Sequence, residues 1–248
     1  MAKIEMVTPI LIFVTEDFSR KKQVKLDHPQ AAGNDKVSVM KMNFVKKFTT
    51  GIYPYSMMLS AFTPVVQPRE GHSVKVTMSS QEWCGHVYSQ MNRDGNRYQV
   101  KSYSYFEQEG DANFAIKATL LEDEVWNLIR IDPSALPVGR VEVTPGLFFT
   151  RLGHKDLKAE FANISRREEE NTVYYSVAFE NSERTLAIQF TKSFPHKILG
   201  WTETFVGLDG RQHRTSATLD KTLHIDYWTR NKNEFVYLRD SLNLPINH

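Results

Sequence analysis

Val173-Tyr174-Tyr175-Ser176-Val177-Ala178-Phe179 runs through Asn181-Ser182-Glu183 into Thr185-Leu186-Ala187-Ile188-Gln189-Phe190. These are two stretches of period two joined by a short polar turn. Successive side chains of a strand point to opposite faces, so Val173, Tyr175, Val177 and Phe179 share one face, as do Leu186, Ile188 and Phe190. The alternation recurs at Val74, Val76 and Met78. Asp94-Gly95 separates expected strands near 82–91 and 97–106, and Asp209-Gly210 separates 197–206 from 215–228. Asp-Gly favours tight hairpins because both positions tolerate positive φ. Short strands joined by local turns form an antiparallel meander.

The expected fold is therefore all-β: a meander of ten or more strands curved into a half-open barrel, with one packed helix. A closed barrel or a two-sheet sandwich fits the same turn spacing. The helix is expected at 120–130, where Glu122, Asp123 and Glu124 precede Arg130, as the helix dipole prefers, and Pro133 stops it. A short C-terminal helix is expected at 233–242. One β-rich domain over 1–248 is expected. Its single breaker-rich stretch, 131–147 (Pro133, Pro137, Gly139, Pro145, Gly146), reads as an internal connection between two halves of a sheet.

Composition narrows the function classes. A chain of 248 residues buries enough surface to fold without metal or disulfides, and Cys84 is its only cysteine. Basic and acidic residues number 31 and 29, a net charge of +2. The basic runs Arg20-Lys21-Lys22, Lys46-Lys47 and Arg166-Arg167 are scattered, and the last is cancelled by Glu168-Glu169-Glu170. Nucleic acid is not an expected partner, because its binders concentrate basic charge. The longest apolar run, Ile10 to Val14, is strand-sized, far below the roughly 20 residues of a membrane-crossing helix. Charges at Lys101, Glu203, Asp220 and Lys221 argue against a lipid-facing barrel wall. Met1-Ala2-Lys3-Ile4-Glu5 has no signal-peptide pattern.

No nucleophile elbow, phosphate loop, His-Glu-x-x-His or Cys-x-x-Cys is present. No cofactor, metal or catalytic set is expected. The sharpest polar cluster is Glu82, Cys84 and His86, which one strand would place on a single face. A thiol, an imidazole and a carboxylate are the raw material of a nucleophilic site or a zinc ligand set. The ordinary alternative is a packed thiol beside a hydrogen-bonded histidine. His224 and Asp226 form a secondary pair on an expected strand face with Trp228. Tyr53, Tyr55, Met57, Tyr103, Tyr105 and Trp126 are candidates to line an apolar cavity, or to fill an ordinary core.

Four phrases carry a family resemblance: Leu11-Ile12-Phe13-Val14-Thr15-Glu16-Asp17-Phe18, Gly51-Ile52-Tyr53-Pro54-Tyr55-Ser56-Met57-Met58, Ser80-Gln81-Glu82-Trp83-Cys84-Gly85-His86, and Leu223-His224-Ile225-Asp226-Tyr227-Trp228. Together they resemble an uncharacterised, exported, lipoprotein-like family of Bacteroidota over about residues 10–230. Members sometimes carry the label "septum formation inhibitor Maf". The residues do not support that label: the Ser-x-Ser-Pro-Arg-Arg loop is missing, Pro68-Arg69 follows Gln67, and Ser165-Arg166-Arg167 lacks the proline. The resemblance implies a cell-envelope location, with a signal and lipid-attachment cysteine upstream of where this chain starts.

The expected function is a non-enzymatic envelope protein that binds an apolar ligand such as a lipid. The alternatives are a thiol-dependent hydrolase or transferase using Glu82, Cys84 and His86, and a structural scaffold for envelope partners.

Overall fold

The computed structural model describes residues 8–66, 72–207 and 209–245. Of these, 51% lie in strands and 16% in helices, so the all-β reading holds. The meander expected from the turns is resolved into two sheets of seven strands, one of them a curled half-barrel.

The first sheet runs in chain order: β1 (Ile10–Ser19), β2 (Lys36–Thr50), β3 (Tyr53–Pro64), β4 (Lys75–Glu82), β5 (Gly85–Asp94), β6 (Arg97–Ser104) and β7 (Ala112–Lys117). The chain then enters β8 (Leu120–Leu121) and helix α1 (Glu122–Ile131). Strand β9 (Gly139–Thr144) and the short helix α2 (Leu147–Leu152) follow. The second sheet continues through β10 (Glu160–Glu169), β11 (Thr172–Phe179), β12 (Thr185–Thr191), β13 (Ile198–Val206) and β14 (Gln212–Thr218). Its β8–β9 pair is parallel, because α1 lies between those strands as a crossover. A last helix, α3, spans Tyr237–Ser241.

The period-two stretches form the strands they encode. Val173, Tyr175, Val177 and Phe179 on β11 and Leu186, Ile188 and Phe190 on β12 all face the core. Asp94-Gly95 opens a tight hairpin with Gly95 at φ +58°.

Three readings need correction. The stretch 82–91 is not one strand, because the chain reverses at Trp83-Cys84 between β4 and β5. The last strand ends at Thr218, and 219–226 has no strand pairing. The 131–147 stretch is more than a connection, since β9 within it pairs with both β8 and β10. Met1 to Glu5 and Pro68-Arg69 lie outside the described residues.

One apolar core draws on both sheets and on α1. Its centre is three rings: Phe44 from β2, Trp126 from α1 and Trp201 from β13. Each pair has centroids 5.4 Å apart, edge to face. Such aromatic pairs add to the energy of the area they bury. Asn127, one residue on, donates through Nδ2 to the carbonyls of Met40 (3.1 Å) and Ala61 (3.1 Å) and to Thr63 Oγ1 (2.9 Å), fixing α1 against the first sheet.

Candidate functional site

Three consecutive acids open α1, and all three are buried. Acidic residues favour a helix N-terminus because its unpaired N–H groups carry partial positive charge. Surface helices leave such acids in water; here each reaches a different part of the fold.

Glu124 turns back on its own helix. Its Oε1 accepts from Leu121 N (3.0 Å) and lies 2.8 Å from His72 Nδ1, while Oε2 accepts from Ser73 N. The carboxylate thereby ties α1 to the start of β4, where Tyr98 Oη also donates to the Ser73 carbonyl (2.7 Å).

Glu122 reaches the second sheet. Arg184, 2% exposed in the β11–β12 turn, grips both its oxygens at 2.5 and 2.6 Å. Arg184 Nε donates to Glu203 on β13 at 2.6 Å. Its guanidinium lies 4.2 Å from the Phe149 ring centroid and 5.3 Å from that of Phe179. A planar fork matched to a carboxylate and stacked on aromatics is the geometry that arginine provides and lysine does not.

Asp123 binds α2: its Oδ2 accepts from Leu147 N (3.0 Å), beside Gly146 N, which donates to Glu122 Oε2 (3.0 Å). Gly146 must be glycine here, since a Cβ would stand 2.7 Å from Glu122 Oε1 and 3.0 Å from Asp123 Oδ1. Burial, and then the neighbouring Glu122, push the Asp123 carboxyl up to about 8. It carries its proton at neutral pH.

Lys46 of β2 completes the cluster. Its Nζ lies 4.9 Å from the ring centroids of Phe44 and Phe148. Burial holds the ammonium below the usual lysine range, against the attraction of Glu203 and Glu122. Two cations, Arg184 and Lys46, thus stand against Glu122 and Glu203, and Asp123 is the odd acid. Among the described residues no metal-binding group of three or more His, Cys, Asp or Glu is found.

The cluster adjoins a surface groove of about 340 Å³ lined by Pro145, Phe149, Thr150, Lys155 and Ser182, among others. Its floor is apolar at Pro145 and Phe149. The Ser182 hydroxyl oxygen is buried there with no hydrogen-bond partner among the described residues.

The residues singled out from sequence lie elsewhere. Cys84 sits exposed in the β4–β5 turn, its N–H donating to Glu82 Oε2 (2.6 Å), with Tyr53 nearby. The neighbouring Cys84 thiol, ahead of Glu82 and Tyr55, raises the Tyr53 pKa. His86 lies two residues into the next strand, opposite Gln81. The hairpin, rather than a strand face, therefore arranges Glu82, Cys84 and His86. His224 and Asp226 lie outside any strand, and Asp226 instead binds Thr229 Oγ1 (2.7 Å) and Arg230 (3.2 Å).

The six aromatic and Met candidates do not meet at one cavity. Met57 and Trp126 are core, and Tyr55 stacks on Phe48 with centroids 4.8 Å apart. Tyr53, Tyr103 and Tyr105 are exposed. The buried cluster could have been suspected from Glu122-Asp123-Glu124 preceding an apolar helix. Nothing local in the sequence points to Arg184 or Lys46 as their partners.

No family model matches the chain, and no curated protein matches it. The Bacteroidota family and the Maf-type label therefore gain no support from either comparison. Among solved structures, a beta-barrel-like protein of a domain of unknown function, DUF1849, from Brucella abortus aligns at 8% identity. The alignment covers 85% of this chain and 90% of that one, with a TM-score of 0.32. Among the described residues no helix is long and apolar enough to cross a membrane.

Proposed function

We propose that this chain is a non-enzymatic protein of the cell envelope that binds an apolar ligand such as a lipid between its two sheets. The observation that carries the reading is how the shared interior is filled. The first sheet lines it with Met42, Met57, Met78 and Met91, all buried, and a single ten-residue helix occupies the middle. Methionine side chains repack readily around apolar groups of varied shape. The N-terminal turn of that helix is held by polar contacts to separate elements, and the groove at Phe149 lies beside them. A ligand would enter by that groove as the contacts of Glu122 and Asp123 loosen. The envelope location rests on the family resemblance, and the non-enzymatic reading on the missing catalytic signatures of the sequence.

The test is native mass spectrometry of protein purified without detergent, followed by organic extraction and titration with a fluorescent fatty acid. A bound species of lipid-like mass, or saturable probe binding, supports the reading. A bare-chain mass together with no probe binding overturns it.

A further inference from the structure

We infer that one end of the first sheet is a docking surface for the neutral, zwitterionic face of a lipid bilayer. This goes beyond ligand binding and stands apart from it. In an antiparallel meander every second turn lies at the same end. The β2–β3, β4–β5 and β6–β7 connections are therefore neighbours, and each presents a large apolar side chain to solvent. Ile52 is 71% exposed, Trp83 63% and Tyr105 68%.

The tips touch one another. Tyr53 and Trp83 have ring centroids 5.5 Å apart. Tyr105 lies so close over Gly85 that a Cβ there would come within 2.6 Å of its ring. Three turns distant in sequence thus form one rim. The outer face of the sheet extends it: Met58 and Tyr88 both pair with Ser79, Tyr88 pairs with Tyr103, and all three large side chains are exposed.

The residue types and charges select the partner. Trp and Tyr combine an apolar ring with a polar edge, which suits the headgroup level of a membrane. The β6–β7 connection carries the exposed acids Glu107, Glu109 and Asp111, and β4 ends on Glu82, against exposed Lys47 near the end of β2. An acid-rich border is repelled by an anionic surface, which leaves a neutral, zwitterionic one as the partner for the aromatic tips.

The experiment uses the full chain and vesicles of pure phosphatidylcholine, read by flotation and by tryptophan emission. Trp126 and Trp201 are buried, so a Trp228→Phe background leaves Trp83 as the exposed reporter. The expected result is co-flotation, a blue shift of Trp83 emission and its quenching by brominated lipid. The triple variant Ile52→Ser, Trp83→Ser, Tyr105→Ser should partition on the order of tenfold more weakly. All three sites are exposed, and circular dichroism checks that the fold is kept. Three outcomes overturn the inference: no flotation, binding that requires anionic lipid, or a dimer in solution that the triple variant abolishes. Loss of the fatty-acid probe signal alone leaves this test unaffected, so the two readings fail separately.

Discussion

Replacing Arg184 with methionine removes a cation that two carboxylates share while keeping most of the apolar stem. The guanidinium is 2% exposed and makes three charge-assisted hydrogen bonds, two to Glu122 and one to Glu203. Without it, Glu122 keeps one protein donor, Gly146 N, in a buried setting. Breaking a buried ion pair from one side costs about 3–5 kcal/mol, because the remaining charge is stranded. In a chain of this size that corresponds to a fall in melting temperature of about 6–20 °C. Thermal melts and urea titrations of Arg184→Met, Glu122→Gln and the double variant form a double-mutant cycle. The double variant should recover part of the loss, since Glu122 then carries no stranded charge while the less buried Glu203 still lacks Arg184. Arg184→Lys keeps the charge but not the fork, so it should fall between Arg184→Met and wild type. An Arg184→Met protein melting within about 2 °C of wild type would refute the reasoning, because no stranded charge of this kind costs so little.

Asp123 sets a pH dependence of known sign. Its folded pKa is raised from 3.8 to about 8, so its contribution is fully present below about pH 4 and is lost as pH rises toward 8. Asp123→Asn keeps an acceptor for Leu147 N and should flatten that slope in urea titrations run across the window; parallel curves for variant and wild type would sink the assignment. Trp126→Ala removes the helix's ring from the Phe44–Trp126–Trp201 triangle and should cost about 3–5 kcal/mol by chemical denaturation. Asn127→Ala removes the buried side-chain donor that the carbonyls of Met40 and Ala61 and the Thr63 hydroxyl accept from, so a loss of about 1–3 kcal/mol is expected in the same assay. Cys84→Ser lies in an exposed turn and should change stability by no more than about 0.5 kcal/mol, while native Cys84 should alkylate readily with iodoacetamide.

The strand pattern was legible because it is local. A period of two at Val173–Phe179, or Asp-Gly at 94–95, states its own geometry, as do the acids and the proline that bound the helix near 120–130. The placement of Glu82, Cys84 and His86 on one strand face failed for an equally local reason. Trp83-Cys84-Gly85 carries neither Asn-Gly nor Asp-Gly, so continuing apolar character passed for a strand where the chain turns. The close seat of Tyr105 on Gly85 fits that turn, and it comes from a residue twenty positions away.

By itself, then, the sequence determined the all-β class, most strand positions, the central helix and the scattered placement of charge. Each follows from neighbouring residues alone. Only the tertiary structure divided the strands into two sheets and brought Arg184 to Glu122 across 62 positions. It likewise brought Lys46 to the same acids and placed Ile52, Trp83 and Tyr105 on one rim. Buried charges must find partners wherever the fold supplies them, and hairpin ends become neighbours only through strand order. Neither relation leaves a mark within a short stretch of chain.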